Sequence, residues 1–282
     1  MLIAHPAAKP IHFLILGMLT SATTAANTDD VAVRKMQFRA DTPVDAQHWQ
    51  EKSREMILGL LNLSDLGGDG QGDGNSISFD VKTLSSEDMG KFTRSEIEFN
   101  STPKRRIKAI LTVPNSSDRK QFPAVVCIHG HGGNRNIVYD PKSLYAGFAT
   151  DLAESGYVTI STDVGQHEVY EDGRTLMGER LWDVLRCVDY LNTLSQVDAE
   201  RLGCAGLSLG GEMAMWLGAM DPRMKVVVSS GFLTTMEGID NDSCCLCWKF
   251  PGLLKNFQFC DSYSMIAPRA LMCEKGELER SP

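Results

Sequence analysis

Short apolar runs alternate with helix-like stretches through most of the chain. Mostly apolar runs of strand length occupy residues 157–161, 202–205, 225–229 and 268–273, and residues 124–128 form a continuous apolar run typical of a strand buried on both faces. Helical apolar spacing separates several of them, at residues 144–154, 176–194 and 211–220. Strands that alternate with helices predict an α/β fold, with a mainly parallel central sheet and helices on both faces.

The first hundred residues have a different pattern. Residues 43–63 carry apolar positions at a partly helical spacing, which predicts a helix packed on the outside of the main domain. The glycine- and aspartate-rich stretch 67–75 predicts a flexible linker. A calcium site is the alternative there, although the order of residues lacks the pattern of a known calcium loop. We therefore expect an N-terminal helical extension and linker at 27–75 and the α/β domain at 76–282.

The N-terminus has the layout of a secretory signal. Lys9 precedes an apolar stretch, 13–19, and small residues follow at 21–26. The pattern predicts a signal peptide over 1–26, cleavage near Ala25 or Ala26, and a secreted or periplasmic protein; an ordinary disordered N-terminus is the alternative. The apolar stretch is too short to span a bilayer, so no stable membrane insertion is expected.

Composition narrows the class of partner. The 282 residues carry a net charge of −8 and 43% hydrophobic residues, enough for one large core. The acidic balance argues against a nucleic-acid surface, and the short basic run 104–106 is expected to be a solvated strand end. Composition says nothing about the oligomeric state.

The chain contains eight cysteines, all beyond the predicted signal peptide. Cys127, Cys187 and Cys204 lie in strand-like or helical apolar runs and are expected to be buried and inert. Cys244, Cys245, Cys247 and Cys260 gather in one loop-rich region, where a disulfide is possible in an exported protein. No histidine lies near them in the sequence, so we expect no metal site there.

The chemistry is concentrated around Ser208. An apolar strand reaches Gly206-Leu207-Ser208-Leu209-Gly210, and a helix follows. Strand, sharp turn and helix with serine at the apex is the arrangement of a nucleophile elbow; a simple glycine-rich turn is the alternative. The backbone N–H of Leu209, at the positive end of that helix, is predicted to donate to an oxyanion.

A second glycine-rich loop, His129-Gly130-His131-Gly132-Gly133, follows an earlier buried strand. Its glycines allow the backbone to turn N–H groups inward, and the N–H of His131 is the predicted second oxyanion donor. The two loops together are more specific than either one alone, because hydrolysis by a serine needs both a nucleophile and an oxyanion hole.

From residue 122 onward the sequence resembles the dienelactone hydrolase and acetyl xylan esterase-like branch of the α/β-hydrolases. The stretches that carry the resemblance are FPAVVCIHGHGG, LAESGYVTISTDVGQH, ERLWDVLRCVDYL, SQVDAERLGCAGLSLGG and YSMIAPRALMCEKGE. Over about 160 residues the resemblance implies an α/β-hydrolase that hydrolyses small esters, often acetyl groups on sugars, without metal or organic cofactor.

The catalytic triad departs from the family pattern. The resemblance implies the order serine, acid, histidine, and it matches Glu279 to the acid, with Glu277 as second choice. The six histidines are 5, 12, 48, 129, 131 and 167, so all precede Ser208. We therefore expect a C-terminally truncated chain that lacks the last strand and helix. His131 or His167 as substitute base is the alternative.

Asp163 and His167 follow the strand that should neighbour the elbow strand, and they are predicted to bind substrate; capping of the following helix is the alternative. Together with the resemblance, the sequence predicts a serine carboxylesterase that acts through an acyl-enzyme on small or acetylated esters, including carbohydrate esters, and is impaired by the absent histidine. The competing hypothesis is a non-catalytic protein that retains the hydrolase shell and binds such esters.

Overall fold

The computed structural model describes residues 34–66, 77–116, 119–241 and 243–276. The predicted signal peptide, the linker at 67–75 and the candidate acid Glu279 lie outside the described residues. The described residues belong to one compact unit. Within the described ranges, no helix combines the length and apolar character needed to cross a membrane.

An eight-stranded sheet forms the centre of this unit, in the order β1-β2-β3-β5-β4-β6-β7-β8. The first three strands pair antiparallel, β3 also pairs antiparallel with β5, and the remaining five are mutually parallel. The strands are β1 Lys82–Asp88, β2 Phe92–Asn100, β3 Arg106–Pro114, β4 Phe122–Ile128, β5 Val158–Thr162, β6 Val197–Leu207, β7 Met224–Ser230 and β8 Ala270–Glu274. The mainly parallel sheet predicted from the apolar runs is confirmed.

Seven α-helices accompany the sheet in the described part of the chain. They are α1 Pro43–Leu60, α2 Phe148–Glu154, α3 Leu176–Thr193, α4 Leu209–Met220, α5 Met236–Ile239, α6 Leu253–Asn256 and α7 Phe259–Ser264. Three-residue 3₁₀ turns occur at Ser64–Leu66, Ile137–Tyr139 and Leu246–Trp248.

Helices cover both faces of the sheet, as predicted. The side chains of β4 alternate: Val126 and Ile128 join the large core formed with α3 and α4, whereas Cys127 joins a smaller core with Ala149 of α2. This alternation follows from the two-residue period of a strand, and it explains why β4 is apolar at almost every position.

Helix α1 packs on this unit through one face. It begins at Pro43 after an N-cap in which Thr42 accepts from the Asp45 N–H, and its residues Ile57 and Leu58 are buried in the large core. Its Arg54 also donates to the carbonyl oxygen of Ala219 at 2.9 Å. The predicted helix at 43–63 is therefore present and packed.

The buried Asp183 of α3 has a partner that the sequence did not indicate. Arg180 and Asp183 lie one turn apart, and sequence spacing favours an ion pair between them. Instead, Arg105 binds both Asp183 carboxylate oxygens at 2.7 Å, and Ser101 donates to the same carboxylate. Arg180 turns the other way and donates to the carbonyl oxygen of Gln166. The pair that the spacing favours is not formed, because a long-range partner with bidentate geometry satisfies the carboxylate better.

Candidate active site

Ser208 lies at the apex of the turn between β6 and α4. Its backbone has φ 60° and ψ −123°, a conformation that a residue with a side chain rarely adopts. Two backbone hydrogen bonds hold it there: the Ser208 N–H donates to Ser230 at 2.9 Å, and the Glu212 N–H donates to the Ser208 carbonyl at 3.0 Å. The strand–turn–helix arrangement predicted from the sequence is present, with the serine at its tip.

The glycines around Ser208 are required by close backbone contacts. A Cβ on Gly206 would lie 2.2 Å from the carbonyl oxygen of Gly210, and a Cβ on Gly210 would lie 2.2 Å from that of Ile128. Neither oxygen belongs to a flexible side chain, so neither can move away cheaply. The pattern G-x-S-x-G therefore has a steric cause in this fold.

The loop 129–133 lies directly against the elbow. A Cβ built on Gly130 would be 3.2 Å from the Ser208 Cβ, and the Gly130 N–H is already used, donating to the Tyr145 hydroxyl at 2.6 Å. Among the described residues, the backbone N–H groups of His131 and Leu209 have no protein acceptor. Both residues line the same pocket as Ser208, and their role as oxyanion donors stays a prediction.

The His129 side chain has a structural role. It is completely buried, its Nδ1 lies 2.8 Å from the carbonyl oxygen of Gly130, and its Nε2 accepts the Val164 N–H at 3.0 Å. These partners assign the proton to Nδ1. Burial lowers the pKa of this imidazole, and the ring is occupied at both nitrogens. His129 therefore shapes the loop that carries His131.

The pocket at Ser208 has a volume of about 250 Å³. Most of its wall comes from the insertion between β7 and β8, residues 231–269. Short helices and turns form this segment, and aromatic residues anchor it in the large core, namely Trp248, Phe250, Phe257 and Phe259. The residues that line the pocket include His131, Ser208, Leu209, Glu212, Phe232, Thr234, Ile239, Cys244, Cys245, Cys247, Trp248 and Lys275.

Glu212 is a pocket residue that the sequence analysis missed. It lies one turn into α4, is 2% exposed, and accepts a hydrogen bond from the Trp216 indole at 3.3 Å. Burial raises the pKa of Glu212 to about 7, against the opposing effects of that hydrogen bond and of the charge of Arg180. An acidic residue in an otherwise apolar helix was the available signal.

The stability of the protein is expected to depend on pH through Glu212. Because its pKa is raised from 4.5 to about 7, the folded chain keeps a proton that the unfolded chain has lost in this range. Folding is therefore favoured less and less by this group as the pH rises from about 4.5 to above 7. Glu212→Gln removes the titrating carboxyl group and keeps the size of the side chain. The free energy of unfolding of the variant should therefore rise relative to that of the wild type as the pH rises across that range.

Urea unfolding of both chains at a series of pH values measures this difference. His129, whose pKa is lowered, contributes in the opposite direction, since its stabilisation fades as the pH falls below 6.5. The comparison with Glu212→Gln cancels that contribution because both chains contain His129. A difference that stays flat with pH would contradict the raised pKa.

The two predicted substrate-binding residues lie outside the lining of this pocket. Asp163 accepts from the Arg135 side chain at 2.6 Å and from the Arg135 N–H at 2.7 Å, and it faces a separate cavity of about 500 Å³. His167 is exposed, and its ring lies 5.5 Å from that of His131 between centroids. Their substrate-binding roles stay predictions.

At the rim of the pocket, thiols and imidazoles come together. His131 Nε2 lies 3.0 Å from the Sγ of Cys247, and His167 Nε2 lies 3.4 Å from the Sγ of Cys245. The expectation of no metal site rested on the absence of a nearby histidine, and the fold removes that premise.

All eight cysteines are free thiols, so the disulfide considered for the loop-rich region is not formed. Cys127, Cys187 and Cys204 are buried as predicted.

Comparison with known proteins gives the family. The family model "Acetyl xylan esterase (AXE1)" matches residues 88–239, which is more than half of the chain. The protein named "Putative hydrolase YtaP" from Bacillus subtilis is 29% identical over 176 residues, 52% of this chain and 57% of its own length. The protein YcjY of Escherichia coli is 32% identical over 133 residues, 45% of this chain and 41% of its own. The chain thus spans about half the length of these curated relatives.

Two solved structures show the same fold. One is named "putative acetyl xylan esterase" from Bacteroides fragilis, with TM-score 0.68, 20% identity, and coverage of 85% of this chain and 71% of that one. The other is a glucuronoyl esterase from Solibacter usitatus, with TM-score 0.58, 19% identity, and coverage of 84% and 77%. With the elbow at Ser208 and the family match around it, the chain belongs to the acetyl xylan esterase family of α/β-hydrolases.

Proposed function

We propose that this protein is a serine hydrolase of the carboxylesterase type that acts on small or acetylated esters, including carbohydrate esters. The observation that carries the proposal is the strained conformation of Ser208, which presents its hydroxyl to a pocket shared with His131 and Leu209. Such backbone strain costs free energy, and strained residues of this kind cluster at active sites. Membership of the acetyl xylan esterase family supports the substrate class.

In the proposed reaction, the Ser208 Oγ attacks the ester carbonyl carbon and loses its proton to a base. The N–H groups of Leu209 and His131 donate to the oxyanion that develops on the carbonyl oxygen. Collapse of the intermediate expels the alcohol, which takes up a proton, and leaves an acyl group on Ser208. Water then attacks the acyl-enzyme and releases the carboxylic acid and the free serine.

The pocket favours a small acyl group. Its volume of about 250 Å³ matches a short acyl chain better than a long one. Aromatic side chains of the insertion, Phe232 and Trp248, form an apolar wall against which the flat face of a sugar could lie. The predicted signal sequence supports an exported esterase, in keeping with polysaccharide esters that occur outside the cell.

The residue that accepts the Ser208 proton does not follow the family order of serine, acid and histidine in this sequence. All six histidines precede Ser208. Glu212 lines the pocket with a carboxylate that can accept a proton, and Glu279 is the proposed orienting acid. The position of all six histidines before Ser208 favours a second candidate function, a non-catalytic protein that binds acylated carbohydrate in the same pocket.

A fluorophosphonate probe separates the two functions. An activated serine displaces fluoride and forms an Oγ–P bond, so the enzyme should gain one label per chain, located by peptide mass spectrometry at Ser208. A folded chain that takes no label but binds an acetylated xylo-oligosaccharide by calorimetry would support the binding protein. A chain that neither reacts nor binds would contradict both proposals.

A further inference from the structure

We propose that His131, His167, Cys245 and Cys247 form a zinc-binding site at the rim of the pocket that contains Ser208. Among the described residues, the two imidazole nitrogens and two sulfur atoms all lie within 4.8 Å of one another. The proposal goes beyond esterase activity, since it concerns a closed site of four protein ligands rather than the reacting atoms.

The distances suit a tetrahedral ion. With Zn–S bonds of about 2.3 Å and Zn–N bonds of about 2.0 Å, neighbouring ligand atoms in a tetrahedron lie roughly 3.3 to 3.8 Å apart. The His131–Cys247 and His167–Cys245 pairs are at 3.0 and 3.4 Å, so these contacts are already near that spacing. Small side-chain rotations would bring the remaining pairs, at up to 4.8 Å, into place.

The chemistry of the donors selects the metal. Two thiols and two imidazoles are the borderline-soft ligands of structural zinc sites, whereas calcium and magnesium prefer oxygen. On binding, both thiols release their protons to solvent, and the two thiolates neutralise the charge of Zn²⁺. His131, His167 and Cys245 are exposed, which gives the ion a direct path from solvent.

The ligands come from three separate loops. His131 follows β4, His167 follows β5, and the cysteine pair belongs to the insertion after β7. An ion bound there would tie the insertion to the ends of two parallel strands, beside the pocket that His131 lines. The site would therefore fix the wall over Ser208 and raise the stability of the folded chain.

Metal binding tests the proposal without using activity. The full chain, kept reduced and stripped with a chelator, is titrated with Zn²⁺ against a chromophoric competitor. We expect one ion per chain, and with Co²⁺ the visible absorption of a tetrahedral thiolate–imidazole site. The thermal unfolding midpoint should rise with Zn²⁺. No binding, or an octahedral Co²⁺ spectrum, would overturn the site.

The cysteines provide a matched pair of variants. Cys245→Ser with Cys247→Ser should abolish the Co²⁺ absorption, whereas Cys244→Ser with Cys260→Ser removes two other thiols of the same insertion and should leave it unchanged. His167→Gln, which keeps both thiols, should weaken Zn²⁺ binding by about tenfold or more. Circular dichroism confirms that each variant is folded. Equal binding by both double variants, or equal loss in both, would overturn the assignment of ligands.

Discussion

Replacing Ser208 by alanine is expected to lower kcat/KM for an aryl acetate by at least about 10³-fold, the scale of losing a catalytic nucleophile. The reason is chemical: without the Oγ no acyl-enzyme can form, and the remaining N–H donors stabilise only an attack by water. The measurement is hydrolysis of p-nitrophenyl acetate by the two purified chains, followed at 25 °C through release of nitrophenolate.

Thr234→Ala is the matched control for Ser208→Ala, because it removes another hydroxyl from the lining of the same pocket. Its kcat/KM should stay within about threefold of the wild type, since no step of the proposed reaction uses Thr234. Circular dichroism and urea unfolding establish that both variants are folded. Equal turnover by wild type and Ser208→Ala would contradict the nucleophile and leave the binding function as the better account.

Gly210→Ala is expected to destabilise the chain by about 3 kcal/mol or more, near the upper end of measured overpacking effects. The added Cβ would lie 2.2 Å from the Ile128 carbonyl oxygen and 2.9 Å from that of His129. Both atoms belong to the backbone at the end of β4 and the start of the loop carrying His131. Relief of the clash would move helix α4 away from that loop and separate the two predicted oxyanion donors.

Gly59→Ala is the control for this substitution. Gly59 lies in α1 and is exposed, and an added Cβ there would have no neighbour within 4 Å. Alanine should therefore stabilise the helix by about 0.5–1 kcal/mol. Urea unfolding of the three chains measures both effects. A Gly210→Ala chain as stable as the wild type would show that the elbow is not packed as closely as these distances indicate.

Part of the candidate site could be predicted from the sequence. The G-x-S-x-G turn placed Ser208 at an apex, and the glycine-rich loop placed His131 beside it, because both patterns arise from local steric requirements. Glu212 was missed for the opposite reason. Its raised pKa comes from burial, and a single acidic residue in an apolar helix does not reveal what will cover it.

The thiol and imidazole cluster shows the same limit more sharply. His131 and Cys247 are 116 residues apart, and His167 and Cys245 are 78 apart. Distance along the chain argued against a metal there. The insertion folds back over the strand ends through its buried aromatic residues, and that return brings the cysteines to the histidines.

The sequence by itself determined the five parallel strands, the four longest helices and the elbow, because apolar periodicity and glycine sterics act between near neighbours. Only the tertiary structure decided that Asp183 pairs with Arg105, that Glu212 is enclosed, and that His131 and His167 meet Cys245 and Cys247. These contacts join residues that are far apart in the sequence. They depend on which surfaces pack together in the folded chain, and local sequence patterns do not specify that packing.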